Sequence, residues 1–225
     1  MSLHLSQLPP LERGDHLTRH EFERRSQTKP DSQKAELIDG VVYIRSSMRF
    51  RGHGEPHAGI VVWLGVYCAA TPGVYGTDNA TVRLDLDNDV QPAALLRLEP
   101  AAGGRARIGK DGCIEGTPEL IVEITASSAS YDLHEKLRVY RRNGVQEYVV
   151  WRVYDKQVDW FRLVQDQYVP LAPDESSVIH SQVFPGLRLV VPALLAGDLA
   201  TVLVELQKGL GTAEHVAFVE RVRER

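Results

Sequence analysis

Residues 118–151, PELIVEITASSASYDLHEKLRVYRRNGVQEYVVW, decide how this chain folds. Leu120, Ile121, Val122 and Ile124 form an apolar run with no alternation, which predicts a strand buried on both faces, at the centre of a sheet covered by helices. Leu133, Leu137 and Tyr140 then recur at helical spacing, after a serine start at Ser128 and before Gly144 at the C′ position. EYVVW (147–151) returns as a second strand. One carboxylate, Glu123, lies inside the first apolar run, and ionised carboxylates are seldom buried without a partner.

Working outward, residues 15–27 read as a short charged helix with Asp15 or Thr18 as cap. AELIDGVVYIR (35–45) reads as a hairpin turning at Asp39-Gly40. SSMRFRGHGEP is a Gly-punctuated loop, and the apolar spacing from His57 to Ala70 is helical until Thr71-Pro72-Gly73 stops it. Val74–Leu86 and Val90–Leu98 are expected as two strands, followed by a flexible basic excursion, EPAAGGRARIGKDG. QVDWFRL and QYVPL continue as strands, with Trp151, Trp160 and Phe161 packing in the core or on a sheet face. The tail is helical, with Asp198 as a cap. The order is that of a mixed α/β (α+β) protein, and a domain spanning 1–198 with a helical C-terminal extension, 199–225, is expected.

The chain has 225 residues, 43% hydrophobic and 25% charged, as in an ordinary globular protein. No apolar run reaches the ~18–20 residues that span a bilayer, so no membrane partner is expected. The N-terminus lacks a basic start and an apolar h-region, which predicts no secretion signal. Cys68 and Cys113 have neither CxxC spacing nor a disulfide framework, and read as free thiols of a cytoplasmic protein. The net charge of −4 gives no general support for nucleic-acid binding. Such binding would need a local patch, and Arg97, Arg105, Arg107 and Lys110 form the most basic one. A solvated loop is an equally good reading of those four.

In a strand, alternate residues share a face, so Glu119, Ile121, Glu123 and Thr125 point one way. On the next helix Asp132 and Lys136 are four apart and share a face, which lets Lys136 reach back over the Glu123 strand. A carboxylate and an ammonium at such a place suit metal-dependent hydrolysis, in which oxygen ligands hold a divalent cation and a nearby cation stabilises developing charge. Plainer readings stand beside this one. Glu123 could be a strand-end carboxylate bonded to Lys136 or backbone, Lys136 could pair with Asp132 on a solvated face, and Glu36 could be an exposed strand residue. His53 and His57 are spaced for zinc on a helix, but Gly54 and Pro56 lie between them. Helix-start packing or phosphate contact is the better reading.

AELIDGVVY (35–43), His57 opening a helix, DVQPAALL (89–96), PELIVEI (118–124), residues 128–151 and VFPGLRL (183–189) together resemble the Uma2 family of restriction-endonuclease-like proteins, over roughly residues 15–198. The resemblance implies the PD-(D/E)XK fold, a central mixed sheet flanked by helices, and a Mg²⁺- or Mn²⁺-dependent DNA endonuclease acting as a homodimer. It matches Glu123 to the family's (D/E) carboxylate, Lys136 to a lysine moved from strand to helix, and Glu36 to an N-terminal glutamate that completes many such sites. Thr125 occupies the usual lysine position. The family's PD aspartate falls at position 93, where this chain has Ala93, whose methyl coordinates nothing. Asp89 shares the strand face with position 93 and is the metal-ligand substitute at hand, although about four residues, or ~13 Å, away along a regular strand. Glu123 and Asp89 are therefore the expected metal ligands, with Glu123, Lys136 and Glu36 as the catalytic set. The alternative is a catalytically inactive nucleic-acid- or partner-binding protein that keeps the nuclease fold.

Overall fold

Two six-stranded sheets share one pair of bent arms, and the whole layout follows from where those arms break. The computed structural model describes residues 8–27, 34–45, 54–125 and 132–224. Of the loop expected over 46–56, residues 46–53, with His53, lie outside the described residues, as does the serine start of the later helix, while Glu55 and Pro56 are already helical. Helix α1 (Arg19–Ser26) is capped by Thr18, whose Oγ1 accepts the Glu21 N–H at 3.3 Å. Strands β1 (Lys34–Ile38) and β2 (Val41–Arg45) pair as the expected hairpin. Asp39 and Gly40 both take positive φ (49° and 73°), as a two-residue primed turn requires. Helix α2 (Glu55–Ala70) begins with Pro56 in its first turn, where proline's missing N–H costs nothing.

The two long strands expected over 74–86 and 90–98 are each broken in two. The first becomes β3 (Val74–Asp78) and β4 (Val82–Arg83), the second β5 (Asp89–Val90) and β6 (Ala94–Leu98). Asn79 at φ 51° bends one arm, and Pro92, which has no N–H to give a ladder, interrupts the other. Each arm consequently starts in one sheet and ends in the other. The basic excursion is a second correction. It forms a short 3₁₀ turn and then a hairpin, β7 (Ala106–Ile108) with β8 (Ile114–Gly116).

β9 (Leu120–Thr125) and β10 (Glu147–Arg152) run parallel, connected through a π-helical turn, Asp132–Lys136, and helix α3 (Leu137–Arg142). Strands β11 (Gln157–Val164) and β12 (Gln167–Pro170) extend this sheet to the order β12-β11-β10-β9-β6-β3. The other sheet runs β2-β1-β5-β4-β8-β7. A small pair, β13 (Val178–His180) with β14 (Arg188–Val190), leads into helices α4 (Val191–Leu195), α5 (Leu199–Leu210) and α6 (Ala213–Arg223).

Burial sorts by side-chain parity, as the continuous apolar run of β9 predicts. Leu120, Val122 and Ile124 pack with Trp63 and Tyr67 of α2 and with the C-terminal helices. Ile121 packs on the opposite face with Ile38, Val90, Val139 and Tyr140, between the two sheets and α3. Trp160 is buried edge-on to Trp63, with ring centroids 5.9 Å apart. A third cluster, Phe22, Leu37 and Val42, seats α1 on the outer face of the β1 sheet.

The tail beyond residue 198 is built into the main core, where Val202, Leu206 and Phe218 are buried against the α2 side. Asp198 caps α5 by accepting the Thr201 N–H at 3.0 Å. Because Leu206 is fully buried, Leu206→Ala is expected to cost about 2–5 kcal/mol. Urea unfolding followed by tryptophan fluorescence measures the loss.

Candidate active site

Glu36 projects from β1, and Glu123 from β9, into the space between the two sheets. Lys136, from the π-turn, closes that space. Its Nζ donates to Glu36 Oε1 at 2.8 Å and to Glu123 Oε1 at 2.6 Å, and all three side chains are 0% exposed. The parity of β9 places Glu123 here, since it shares a face with Ile121. Glu36 shares a face with Ile38 in the same way. The π-turn, a device often found at functional sites, delivers Lys136. Lys136 is therefore not on a solvated helix face. The Asp132 side chain lies outside what the structure describes.

Two further donors belong to the cluster and were not legible as site groups. Tyr140, one helical turn after Lys136, donates its hydroxyl to Glu123 Oε1 at 2.9 Å. Burial, and then the Glu123 charge, raise the Tyr140 pKa well above the ordinary tyrosine value, so the hydroxyl stays a donor. Its i+4 spacing from Lys136 was the available signal, but an aromatic at helical spacing reads first as core. The backbone N–H of Gln91 donates to Glu36 Oε1 at 2.8 Å, and a main-chain donor leaves no trace in a sequence.

The β6–β9 register ends with Ala94 opposite Val122, so position 93, in a bend one residue before β6, comes level with Glu123 along the sheet. Its methyl is 1% exposed and packs in the main core with Ala94 and Val122, not in the cluster around Ile121. Asp89 does not join the cluster. It pairs across the ladder with Leu37, whose side chain faces α1, away from Glu36. The broken strand turns it there, towards Arg83 at 3.9 Å, while Arg83 also reaches Glu23 at 2.8 Å and Asp111 at 2.6 Å. Burial raises the Asp89 pKa to about 7, partly offset by Arg83.

The basic residues also lie apart from the centre. Arg97 stacks on Tyr75, 4.9 Å from the ring centroid. Arg105 donates to the Gly144 carbonyl, and Arg107, 74% exposed, pairs with Glu115 at 2.9 Å. Lys110 is exposed in the β7–β8 turn. Arg105 and Arg107 line an open cavity of about 410 Å³ with Pro100, Gly104 and Glu115. β7 is four strands from β1, or about 19 Å at ordinary strand spacing.

Buried carboxylates elsewhere are used differently. Glu119 accepts the Leu98 and Arg105 N–H groups at 2.8 and 3.2 Å. Glu147 accepts from Ser181, Trp160 and the N–H groups of Gln182 and Val183. Burial raises both pKa values. Both acids tie loops to strand ends, whereas Glu36 and Glu123 converge on one ammonium.

Two carboxylates from different sheets meet the needs of a hard divalent cation, since Mg²⁺ is commonly held by one or two carboxylates plus waters and substrate phosphate. The fit is incomplete. Lys136 shares an oxygen of each acid, position 93 adds none, and no group of three His, Cys, Asp or Glu side chains among the described residues could hold a metal.

The fold and this strand–turn–lysine arrangement define a restriction-endonuclease-like protein. The Uma2 family, described as "Putative restriction endonuclease", matches residues 19–192, and the chain belongs to that family. The chain is similar in fold to the crystal structure of "a putative nuclease belonging to DUF820 from Anabaena variabilis ATCC 29413". The TM-score is 0.63 at 13% identity, over 80% of this chain and 98% of that one. No curated protein matches the chain.

Removing the ammonium leaves two buried carboxylates facing each other. Lys136→Met is therefore expected to destabilise by about 3–5 kcal/mol in urea unfolding. A second expectation concerns pH. A carboxyl whose folded pKa is raised contributes stability that is present below the unfolded value and lost as pH rises through the folded one. Across the interval from about pH 4 to about pH 7, the wild-type chain should lose stability relative to Asp89→Asn. Parallel unfolding curves over that interval would contradict it.

Proposed function

We propose that this chain is a divalent-metal-dependent DNA nuclease of the Uma2 type, attenuated by the alanine at position 93. The observation that carries the reading is Lys136 Nζ lying 2.8 and 2.6 Å from carboxylates on two different sheets. Glu36 and Glu123 would hold the ion. When bound, it would polarise a phosphoryl oxygen and lower the pKa of a coordinated water. Lys136 stabilises charge that develops on the phosphoryl oxygens, a preorganised ammonium in a water-poor pocket being worth more than one in bulk solvent. Tyr140 fixes the orientation of the Glu123 carboxylate. Because Glu36, Glu123 and Lys136 are fully buried, reaction requires the Lys136 pairs to open towards the substrate phosphate.

A second reading, a nucleic-acid-binding protein without catalysis, is favoured by two observations. Ala93 offers no ligand, and the ammonium already balances part of the carboxylate charge. A plasmid-nicking assay with Mn²⁺ separates the two. The attenuated-nuclease reading expects slow nicking that Glu123→Gln abolishes and that Ala93→Asp raises by about 10²-fold, the scale of one catalytic electrostatic group. Nicking by neither form, with DNA still bound, would favour the non-catalytic protein. Burying an acid at a 1% exposed position costs stability, so the Tm of Ala93→Asp should fall in chelator. Mn²⁺ should recover it, since a ligand bound only by the folded state stabilises that state.

A further inference from the structure

The segment carrying position 93 is pinned from several sides, although its own side chain does no chemistry. Gln91 is held at its N–H by Glu36 and at its side chain by Thr81 Oγ1, 3.2 Å away. The Ala93 carbonyl accepts the Asn79 N–H at 3.4 Å and faces His57 Nε2 at 3.0 Å. His57 comes from the first turn of α2, an element that otherwise packs on the far face of the β9 sheet. Asn79 Nδ2 lies 3.1 Å from the same ring nitrogen, and Asp78 Oδ2 lies 3.5 Å away. Lys34 Nζ bonds Asn79 Oδ1, which turns the amide nitrogen towards His57 and Asp78. The amide nitrogen donates to Asp78 Oδ2 at 3.0 Å, and against that one neighbouring donor two oxygen acceptors, the Ala93 carbonyl and Asp78, face Nε2 and favour the tautomer with its proton there.

We propose that His57 is a positioning residue that donates Nε2–H to the residue-93 carbonyl and holds that turn beside Glu123. Under the nuclease reading, in which position 93 matches the family's aspartate, the same support would orient a carboxylate placed there. The chemical part of this inference rests on the nuclease reading above, but the positioning part does not. Outer partners of ligating groups commonly change metal affinity by about 10–100-fold.

The test uses the full chain with Ala93 or Asp at position 93, each carrying His57, His57→Phe or His57→Gln. Phenylalanine keeps the ring without its donor, and glutamine restores an N–H donor. Hydrogen exchange at the amides of residues 94 and 95 reads the positioning directly in the Ala93 chain. Exchange should quicken about tenfold with Phe and recover with Gln, in line with the loss of one hydrogen bond. Mn²⁺ calorimetry in the Ala93→Asp chain reads the consequence for a ligand. Affinity should fall about 10–100-fold with Phe and recover with Gln. Unchanged exchange in the Phe variant would overturn the proposal, as would an Mn²⁺ affinity of Ala93→Asp indifferent to residue 57. Quickened exchange without Mn²⁺ binding by any form would uphold the positioning role and overturn the nuclease reading instead.

Discussion

An ammonium group with no exposed surface, held by two carboxylates from separate sheets, is the constraint around which this molecule is arranged. A lysine so buried is tolerable only if its charge is met closely and its protons are used. Each of those demands fixes a piece of backbone. Glu36 must stand at the third residue of β1, Glu123 on the inner face of β9, and the chain after β9 must bring Lys136 back between them. A π-turn, a bent pair of arms and a parallel β9–β10 crossover supply that geometry. The two sheets are joined covalently by the arms and electrostatically by Lys136.

Much of this was legible, for identifiable reasons. The unbroken apolar run of β9 announced burial on both faces, and parity alone placed Glu123 and Ile121 on one side of it. The Asp39-Gly40 turn, the Thr18 and Asp198 caps and Gly144 after α3 each rest on local rules that tertiary context did not override. The breaks in the two long strands were not legible. Pro92 signals an interruption, but whether the chain resumes in the same sheet or crosses to another depends on contacts far away in sequence. That one ambiguity moved Asp89 from the same face as position 93 to the α1 side of the other sheet. The short β7–β8 hairpin was hidden for another reason: strands of three residues, set among glycines and charges, are too short to display the alternation that identifies strands.

The same distinction governs the site. Side chains whose direction follows from parity, Glu36 and Glu123, came together as expected. Lys136 did so as well, although its environment is the interior rather than a solvated face. The Gln91 N–H, which acts through the main chain, had no sequence signature, and His57, although singled out at a helix start, carried no sign of its partner at Ala93 on a remote strand. The four basic residues are adjacent in the chain or nearly so, yet the sheet order carries Arg105 and Arg107 to the edge farthest from Glu36. Strands, not loops, set that distance.

The most direct measurement of the central claim is a double-mutant cycle in urea, combining Glu36→Gln with Lys136→Met. If one ammonium binds both carboxylates in the interior, the two substitutions are coupled, and the interaction energy should reach about 2 kcal/mol or more. Additive losses, agreeing within about 0.5 kcal/mol, would contradict the account, because independent residues cannot be the bridge between the two sheets.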